Sequence, residues 1–398
     1  MTGKALSGTK VLDLTHYIAG PYCTKMLADY GAEVVKVEKP GSGDTARSMA
    51  PFLHDEPHPE KSGLFLYLNT NKKSVTLNLK SATGVKLFQE LVKQADILVE
   101  NFSPRVMPGL GLDYQTLKKI NPKLVMTSIS SFGQTGPYRD FRATDLNIWG
   151  LSGIMYELGE PDREPLRIGN NVSEYVAGLY GALVSLSALY YCDEASKGQH
   201  IDVSIWEAFH TMQPSMTVVY SYAGFIRKRA GIRFPWGILP CKDGYVGFYL
   251  PTQIHWESLC ALLEMPELRE KPEYETPMLR EERREEIAAI IVSWLKDKRM
   301  EDVFHAAQEL RLPLTIVPNP EQLLHTPQHK ARKFFEDIDH PATGKLTYPG
   351  APFKLSETPW HAGRAPLLGE HNEEVYCERL GYKKDDLVKL KEVDIILG

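Results

Sequence analysis

At 398 residues the chain is longer than one ordinary core supports, so two structural units are expected. Apolar residues make up 43% and aromatic residues 10%, as in a well-packed globular protein. A net charge of −5, with bases dispersed among acids, gives no basic footprint for nucleic acid.

From the N-terminus, Lys10 to Thr15 (KVLDLT) reads as a short buried strand. Gly20-Pro21 then opens a helix through Tyr30, with Gly31 as its C′ residue. Ala32 to Glu38 (AEVVKVE) is a second strand, so the spacing predicts a parallel βαβ unit with a right-handed crossover. Ser74 to Leu79 alternates like a strand. Ser81 to Gln94 is a helix and Asp96 to Glu100 the strand after it. Tyr114 to Ile120 is a short helix, followed by the strand Leu124 to Ile129. Alternation over the first 130 or so residues predicts a doubly wound α/β domain.

The character changes after about residue 215. Gly224 to Gly237 is a basic, glycine-punctuated connector, Gly244 to Tyr249 a strand, and His255 to Leu310 mostly helical and charged. This predicts a smaller α/β module. From about Thr326 the tail is rich in proline and glycine, ends in a helix near Lys383 to Val393, and is expected to pack against something. The five cysteines include no C-x-x-C pair, and MTGKALSGTK lacks the apolar segment of an export signal, so a reducing cytoplasm is expected. No apolar run is read as approaching the roughly 20 residues that span a bilayer, so no membrane partner is expected.

Several stretches carry chemistry. AGPYC, Ala19 to Cys23, occupies the first βα turn but lacks G-x-G-x-x-G, which argues against a nicotinamide site. A tight packing turn and an anion-binding helix start both remain open there. NTNKKS, Asn69 to Ser74, reads either as a solvated loop or as a phosphate site. ENFSPR, Glu100 to Arg105, places an amide, an aromatic face and a cation at one strand's carboxyl end, which suits a nucleotide-like ligand. His54 with His58, and His325 with His329, are each four apart, but Pro57 and Pro327 break the helix that would align the rings on a metal. Glu174 stands at the start of an apolar helix, Val176 to Tyr190. On local chemistry it is either a dipole-favoured acid at a helix start or a nucleophile.

Taken together, VLDLTH (Val11 to His16), AGP (Ala19 to Pro21), GAEVVKVE (Gly31 to Glu38), GD (Gly43-Asp44), NKKS (Asn71 to Ser74) and ENF (Glu100 to Phe102) form an ordered series. GQTGPY (Gly133 to Tyr138), KGQHIDVS (Lys197 to Ser204), CKDGYV (Cys241 to Val246), HP (His340-Pro341) and LGEH (Leu368 to His371) continue it. The series resembles the family III CoA-transferases over essentially the whole chain. The resemblance implies a Rossmann-like large domain, residues 1–220 and 326–398, an inserted smaller α/β domain, residues 221–325, and an interlocked, ring-like dimer. It implies no permanent cofactor and no metal, with CoA and acyl-CoA as substrates. It also implies covalent catalysis by a carboxylate at the helix start, here Glu174. The CoA contacts proposed with it are His16, Lys39, Lys72, Asn101, Phe102, Arg105 and Arg142. His16 and the Asn101-Phe102 pair match the family motif directly, Arg142 is placed by offset, and Lys39 and Arg105 follow from charge.

The sequence departs from the family pattern in its proposed site. Glu174 replaces the usual Asp, Ile18 aligns with a glutamine, and Gly109 aligns with an arginine that holds CoA phosphates. RFPW, Arg233 to Trp236, occupies the place of a glycine-rich loop. With Tyr17 and Ile18, Phe234, Pro235 and Trp236 would make an apolar pocket, suited to an aromatic or alkyl-substituted acid with succinyl-CoA as donor. The departures leave open a non-catalytic companion subunit in a heteromer, whose paralogous partner carries the catalytic Asp. An α-methylacyl-CoA racemase ranks lower, because Thr144 stands where that chemistry needs a histidine base. A CoA-binding protein without turnover is a further alternative.

Overall fold

The computed structural model describes residues 3–213, 215–229 and 236–397. It divides into two compact units: residues 1–155, 167–226 and 333–398, and residues 156–166 and 227–332.

The first unit is built on six parallel strands: β1 Lys10–Asp13, β2 Glu33–Glu38, β3 Lys73–Thr76, β4 Ile97–Glu100, β5 Val125–Ser130 and β6 His200–Ser204. They run in the order β3-β2-β1-β4-β5-β6, and every pairing is parallel. All of β4 and β5 is buried, as a sheet covered on both faces requires. β6 went unread in the sequence, since it is a short edge strand whose His200 and Asp202 face solvent. The chain order reverses between β1 and β4, and ligands of doubly wound sheets lie at that point, beyond the strands' carboxyl ends.

Helices start where side chains satisfy their free amides. The Ser81 hydroxyl accepts from the Gly84 amide at the start of the Ala82–Val92 helix, and Asp113 accepts from Thr116 at the start of Tyr114–Ile120. The 19–29 helix ends ahead of Gly31, whose φ of 106° lets the chain turn back into β2.

The helix that carries Glu174 runs Val172–Ala195, beginning four residues before the sequence placed it. Its 24 residues are long and apolar enough for a bilayer span by length and composition, which corrects the expectation that no apolar run approaches that length. Its buried residues are small, among them Ala177, Gly178, Gly181, Ala182 and Ala188, and the helix lies along the 19–29 helix and β5. At Gly178 an added Cβ would stand 2.5 Å from the Ala19 carbonyl oxygen and 3.2 Å from Tyr22 Cβ. Gly178→Ala is therefore expected to cost about 1–3 kcal/mol by overpacking, read as a lower Tm.

The tail is structured by the open edge of β3. The Ser74 and Thr76 amides donate to His371 Nδ1 and Asn372 Oδ1, and Asn78 donates to the Ile395 carbonyl. Val375, Tyr376, Ile395 and Ile396 join the core beneath the sheet. The antiparallel pair β10 Phe335–His340 and β11 Gly344–Pro349 also lies in this tail. The sequence did not expose that pair, because few of its residues are fully buried and prolines stand at its turn and its end.

The second unit holds a three-stranded antiparallel sheet, β7 Trp236–Cys241, β8 Gly244–Tyr249 and β9 Leu314–Ile316. Its own core is formed by Trp256, Leu259, Tyr274, Ile287, Ile291 and Val303. The end of the segment read as a connector is thus the first residues of β7.

Candidate active site

The floor of the site is a buried ionic cluster at the end of β1. Asp13 Oδ1 accepts from the Thr15 amide at 2.8 Å and hydroxyl at 2.5 Å. Asp13 Oδ2 accepts from Thr24 Oγ1 at 2.7 Å and from Lys72 Nζ at 3.0 Å. Lys36 Nζ lies 2.8 Å from Asp44 Oδ2 and 3.8 Å from Asp13 Oδ2, and donates to the Thr15 carbonyl at 2.7 Å. Burial raises the Asp13 pKa, but Lys36 and Lys72 outweigh it and bring the carboxyl down to about 2. Asp44 in turn accepts from the Tyr17 amide at 2.9 Å, which holds Tyr17 at a φ of 72°. Such a conformation persists in a non-glycine residue only where its surroundings fix it.

The loop 14–18 held in this way ends at the 19–29 helix, whose first amide, that of Ala19, donates to Glu174 Oε2 at 3.3 Å. Glu174 itself lies in the first turn of the 172–195 helix, so two helix N-termini meet at one half-buried carboxylate. Asn171 makes no side-chain cap for the 172–195 helix. Asp145 serves instead, accepting from the Ser173 amide at 3.2 Å and hydroxyl at 2.6 Å. Burial pushes the Glu174 carboxyl up to about 7, the Asp145 charge adds to this, and the Ala19 amide opposes it.

On the other side of the same loop is a cavity of about 410 Å³. It opens at the carboxyl ends of β1, β2, β3 and β4, at the reversal in strand order. His16, Lys39 and Phe102 line it, and the His16 and Phe102 rings sit 5.6 Å apart. Val106 and Leu110 add an apolar wall. Asn78 and Lys80 also line it, and sequence reasoning missed both. Lys80 follows the predicted strand directly, which was the available signal for it, whereas Asn78 fell inside that predicted strand, which ends earlier, at Thr76.

The remaining candidates sit elsewhere. Lys72 is buried, and its ammonium is occupied by Asp13, Thr24, Asn69 and the Pro21 carbonyl. It supports the floor and is not a ligand contact, which corrects the expectation for it. Burial brings its pKa down to about 8 despite Asp13. The Asn101 amide exchanges two hydrogen bonds with the His16 backbone, at 2.9 and 2.8 Å, so it positions His16 across the β1–β4 reversal. Arg105 forms a two-pronged pair with Asp140 at 2.9 and 2.6 Å on the surface, and does not line the cavity. Arg142 is exposed and does not line it either. An added Cβ at Gly109 would meet open space. Glu100, buried and pushed up to about 7 by desolvation, accepts from the Phe102 amide at 2.9 Å and fixes that ring's backbone. Ile18 is 1% exposed and belongs to the core, not to an open pocket. Phe234 and Pro235, and the Trp236 side chain, lie outside the described residues.

The protein is thus a doubly wound α/β fold with a cavity at the reversal in strand order and, past the loop that lines it, a carboxylate held at two helix starts. The model of CoA-transferase family III matches residues 6–372. Succinyl-CoA–D-citramalate CoA-transferase of Chloroflexus aurantiacus is 32% identical over 99% of this chain and 98% of its own length. Succinyl-CoA:mesaconate CoA-transferase of Haloarcula marismortui is 34% identical over 94% and 96%. The crystal structure of a CAIB/BAIF family protein from Brucella suis superposes with a TM-score of 0.86 at 30% identity, covering 94% of this chain and 99% of that one. The chain belongs to CoA-transferase family III. Enzymes of this family use CoA thioesters as substrates.

Proposed function

We propose that this chain moves CoA from an acyl-CoA, with succinyl-CoA the favoured donor, to a small carboxylic acid through covalent chemistry on Glu174. The nucleotide end of CoA lies in the cavity between His16 and Phe102, and the pantetheine arm follows the loop 14–18 to Glu174. A Glu174 oxygen attacks the thioester carbonyl, the C–S bond breaks, and CoA leaves as thiolate with a mixed anhydride on the enzyme. The thiolate then attacks the glutamyl carbonyl and releases the donor's carboxylate, leaving a glutamyl-CoA thioester. The acceptor carboxylate displaces CoA to form a second anhydride. The thiolate finally attacks the acceptor's carbonyl, giving the new thioester and free Glu174. Two helix N-termini at this carboxylate favour the negative charge that each tetrahedral intermediate carries.

The observation that carries this reading is the half-buried Glu174 carboxylate, adjacent to the cavity-lining loop and accepting from the first amide of the 19–29 helix. It favours a working nucleophile over a companion subunit. The test is the purified chain alone with succinyl-CoA and a labelled acid, followed by hydroxylamine trapping and mass spectrometry. Transfer together with a modified Glu174 supports the reading. Transfer that requires a paralogous partner overturns it.

The exposed apolar side chains Leu179, Leu183 and Tyr190 on the 172–195 helix, with Val218, Tyr220 and Tyr222 further on, support burial against a second subunit. The reading therefore includes an interlocked dimer, with residues 221–325 as the inserted smaller domain. Phe102→Ala is expected to weaken CoA binding about tenfold by loss of an aromatic face. Lys80→Ala should weaken it severalfold, and more at low salt than at high salt. Isothermal titration with CoA checks both.

A further inference from the structure

We propose that Arg167 selects acyl groups that carry a second carboxylate. The inference deepens the CoA-transfer reading and rests on it for the role of Glu174. Arg167 lies in the stretch leading to the 172–195 helix, and its Nη1 donates to Asp145 Oδ2 at 2.9 Å. That contact is its one hydrogen bond among the described residues. The other Asp145 oxygen holds the Ser173 amide and hydroxyl, one residue before Glu174. Arg167, Asp145, Ser173 and Glu174 therefore form one continuous cluster at a single helix start.

The two halves of the ion pair differ in exposure. The Asp145 side chain is 3% exposed and that of Arg167 is 39% exposed. Asp145 thus anchors one nitrogen of the guanidinium, and the remaining N–H groups have no partner among the described residues. A guanidinium fixed at one edge presents the other in the planar fork that binds a carboxylate bidentately. The need for a cation here follows from the charge of the cluster. Asp145 and Glu174 are both acids, and they would repel an anionic acyl group. Arg167 is the cation paired with Asp145, and through the Asp145 contacts to Ser173 it sits at the same helix start as Glu174.

The reaction makes one such residue sufficient. Donor acyl group and acceptor acid each bond in turn to the same Glu174 carboxyl, so both occupy one acyl pocket. A succinyl group keeps a free carboxylate when its other end is bound as thioester, and an acceptor diacid does the same. Arg167 would hold that distal carboxylate in both half-reactions, while a monocarboxylate of equal length leaves the guanidinium unpaired.

The test compares succinate with butyrate, which has the same four-carbon chain and one carboxylate. Their dissociation constants are measured by equilibrium dialysis in the presence of CoA, so the readout does not require turnover. The wild-type protein is expected to prefer succinate by about tenfold or more, and Arg167→Gln to lower the succinate-to-butyrate ratio by at least about tenfold. Arg167→Lys keeps the charge without the fork and should fall between them, and it serves if Arg167→Gln does not fold. No preference in the wild type, or an equal loss for both acids in the variant, overturns the proposal. Glu174→Gln separates the two claims. Retained succinate preference with transfer lost supports both. Retained preference with transfer intact leaves Arg167 standing and removes Glu174 from the chemistry.

Discussion

Glu174→Gln is expected to lower kcat for CoA transfer by at least about 10³-fold, while CoA still binds with an affinity within a few-fold of wild type. The glutamine keeps the shape of the side chain and its acceptor oxygen for the Ala19 amide, so the helix start is preserved. It removes the anionic oxygen that must form the anhydride. Hydroxylamine should then release no modified peptide from residue 174. Glu174→Asp shortens the reach by one methylene, and a misplacement on the order of 1 Å is expected to cost about 10²-fold.

The pH dependence of the wild type follows from the same group. Only the carboxylate form attacks, and burial has raised its pKa to about 7, so kcat/KM should rise with pH through about 7 and level off above it. The stability consequence has the opposite sign. A carboxyl whose folded pKa is raised from 4.5 favours the native state in its protonated form, and that contribution is lost as pH rises from 4.5 through about 7. Above pH 7 the native protein holds a charge that would be better solvated in the unfolded chain. Glu174→Gln should therefore be more stable than wild type at pH 8, by on the order of 1 kcal/mol given the partial solvation of the group, with no such gain at pH 4.5. Denaturant unfolding at the two pH values measures this.

The second large effect is expected at Asp13. Asp13→Ala removes the carboxylate that faces both Lys72 and Lys36 and leaves two buried ammonium groups with less compensation. Breaking a buried pair in this way costs about 3–5 kcal/mol. The loss should appear as a lower urea midpoint for the first unit. The pH window follows from the depressed folded pKa. Asp13 contributes stability above the unfolded carboxyl pKa of 3.8, and the contribution is lost as pH falls toward about 2. The wild type and Asp13→Ala should therefore converge in stability in strong acid. Activity should fall with stability, since Thr15 and Lys36 hold the loop that carries His16 and Tyr17.

These charges also mark where reading the chain stopped. NKKS and ENF drew attention to Lys72 and Asn101, and both are important, but as supports. Nothing within a few residues of Lys72 reveals that Asp13, 59 positions away, will take its ammonium. Nothing near Asn101 reveals that its amide will clasp the His16 backbone 85 positions away. Arg105 has the right charge in the right place along the strand end, yet Asp140, 35 positions on, takes both of its prongs. A charged side chain in a loop commits to the first well-placed partner the fold brings near, and that partner is a property of the tertiary arrangement.

What the sequence determined by itself was periodic and local. Apolar runs of β length alternating with amphipathic helices gave the doubly wound sheet, because a parallel strand buried on both faces has little choice but valine, isoleucine and leucine. The order of short motifs along the chain placed it among its relatives and drew the eye to Glu174. Tertiary structure alone decided that this carboxylate caps a second helix, that Asp145 caps the first, and that Arg167 is held beside them. Those contacts span 155, 28 and 22 positions, and hydrogen bonds and ion pairs of such reach depend on the packing of helices whose small faces, at Gly178 and Gly181, allow the close approach.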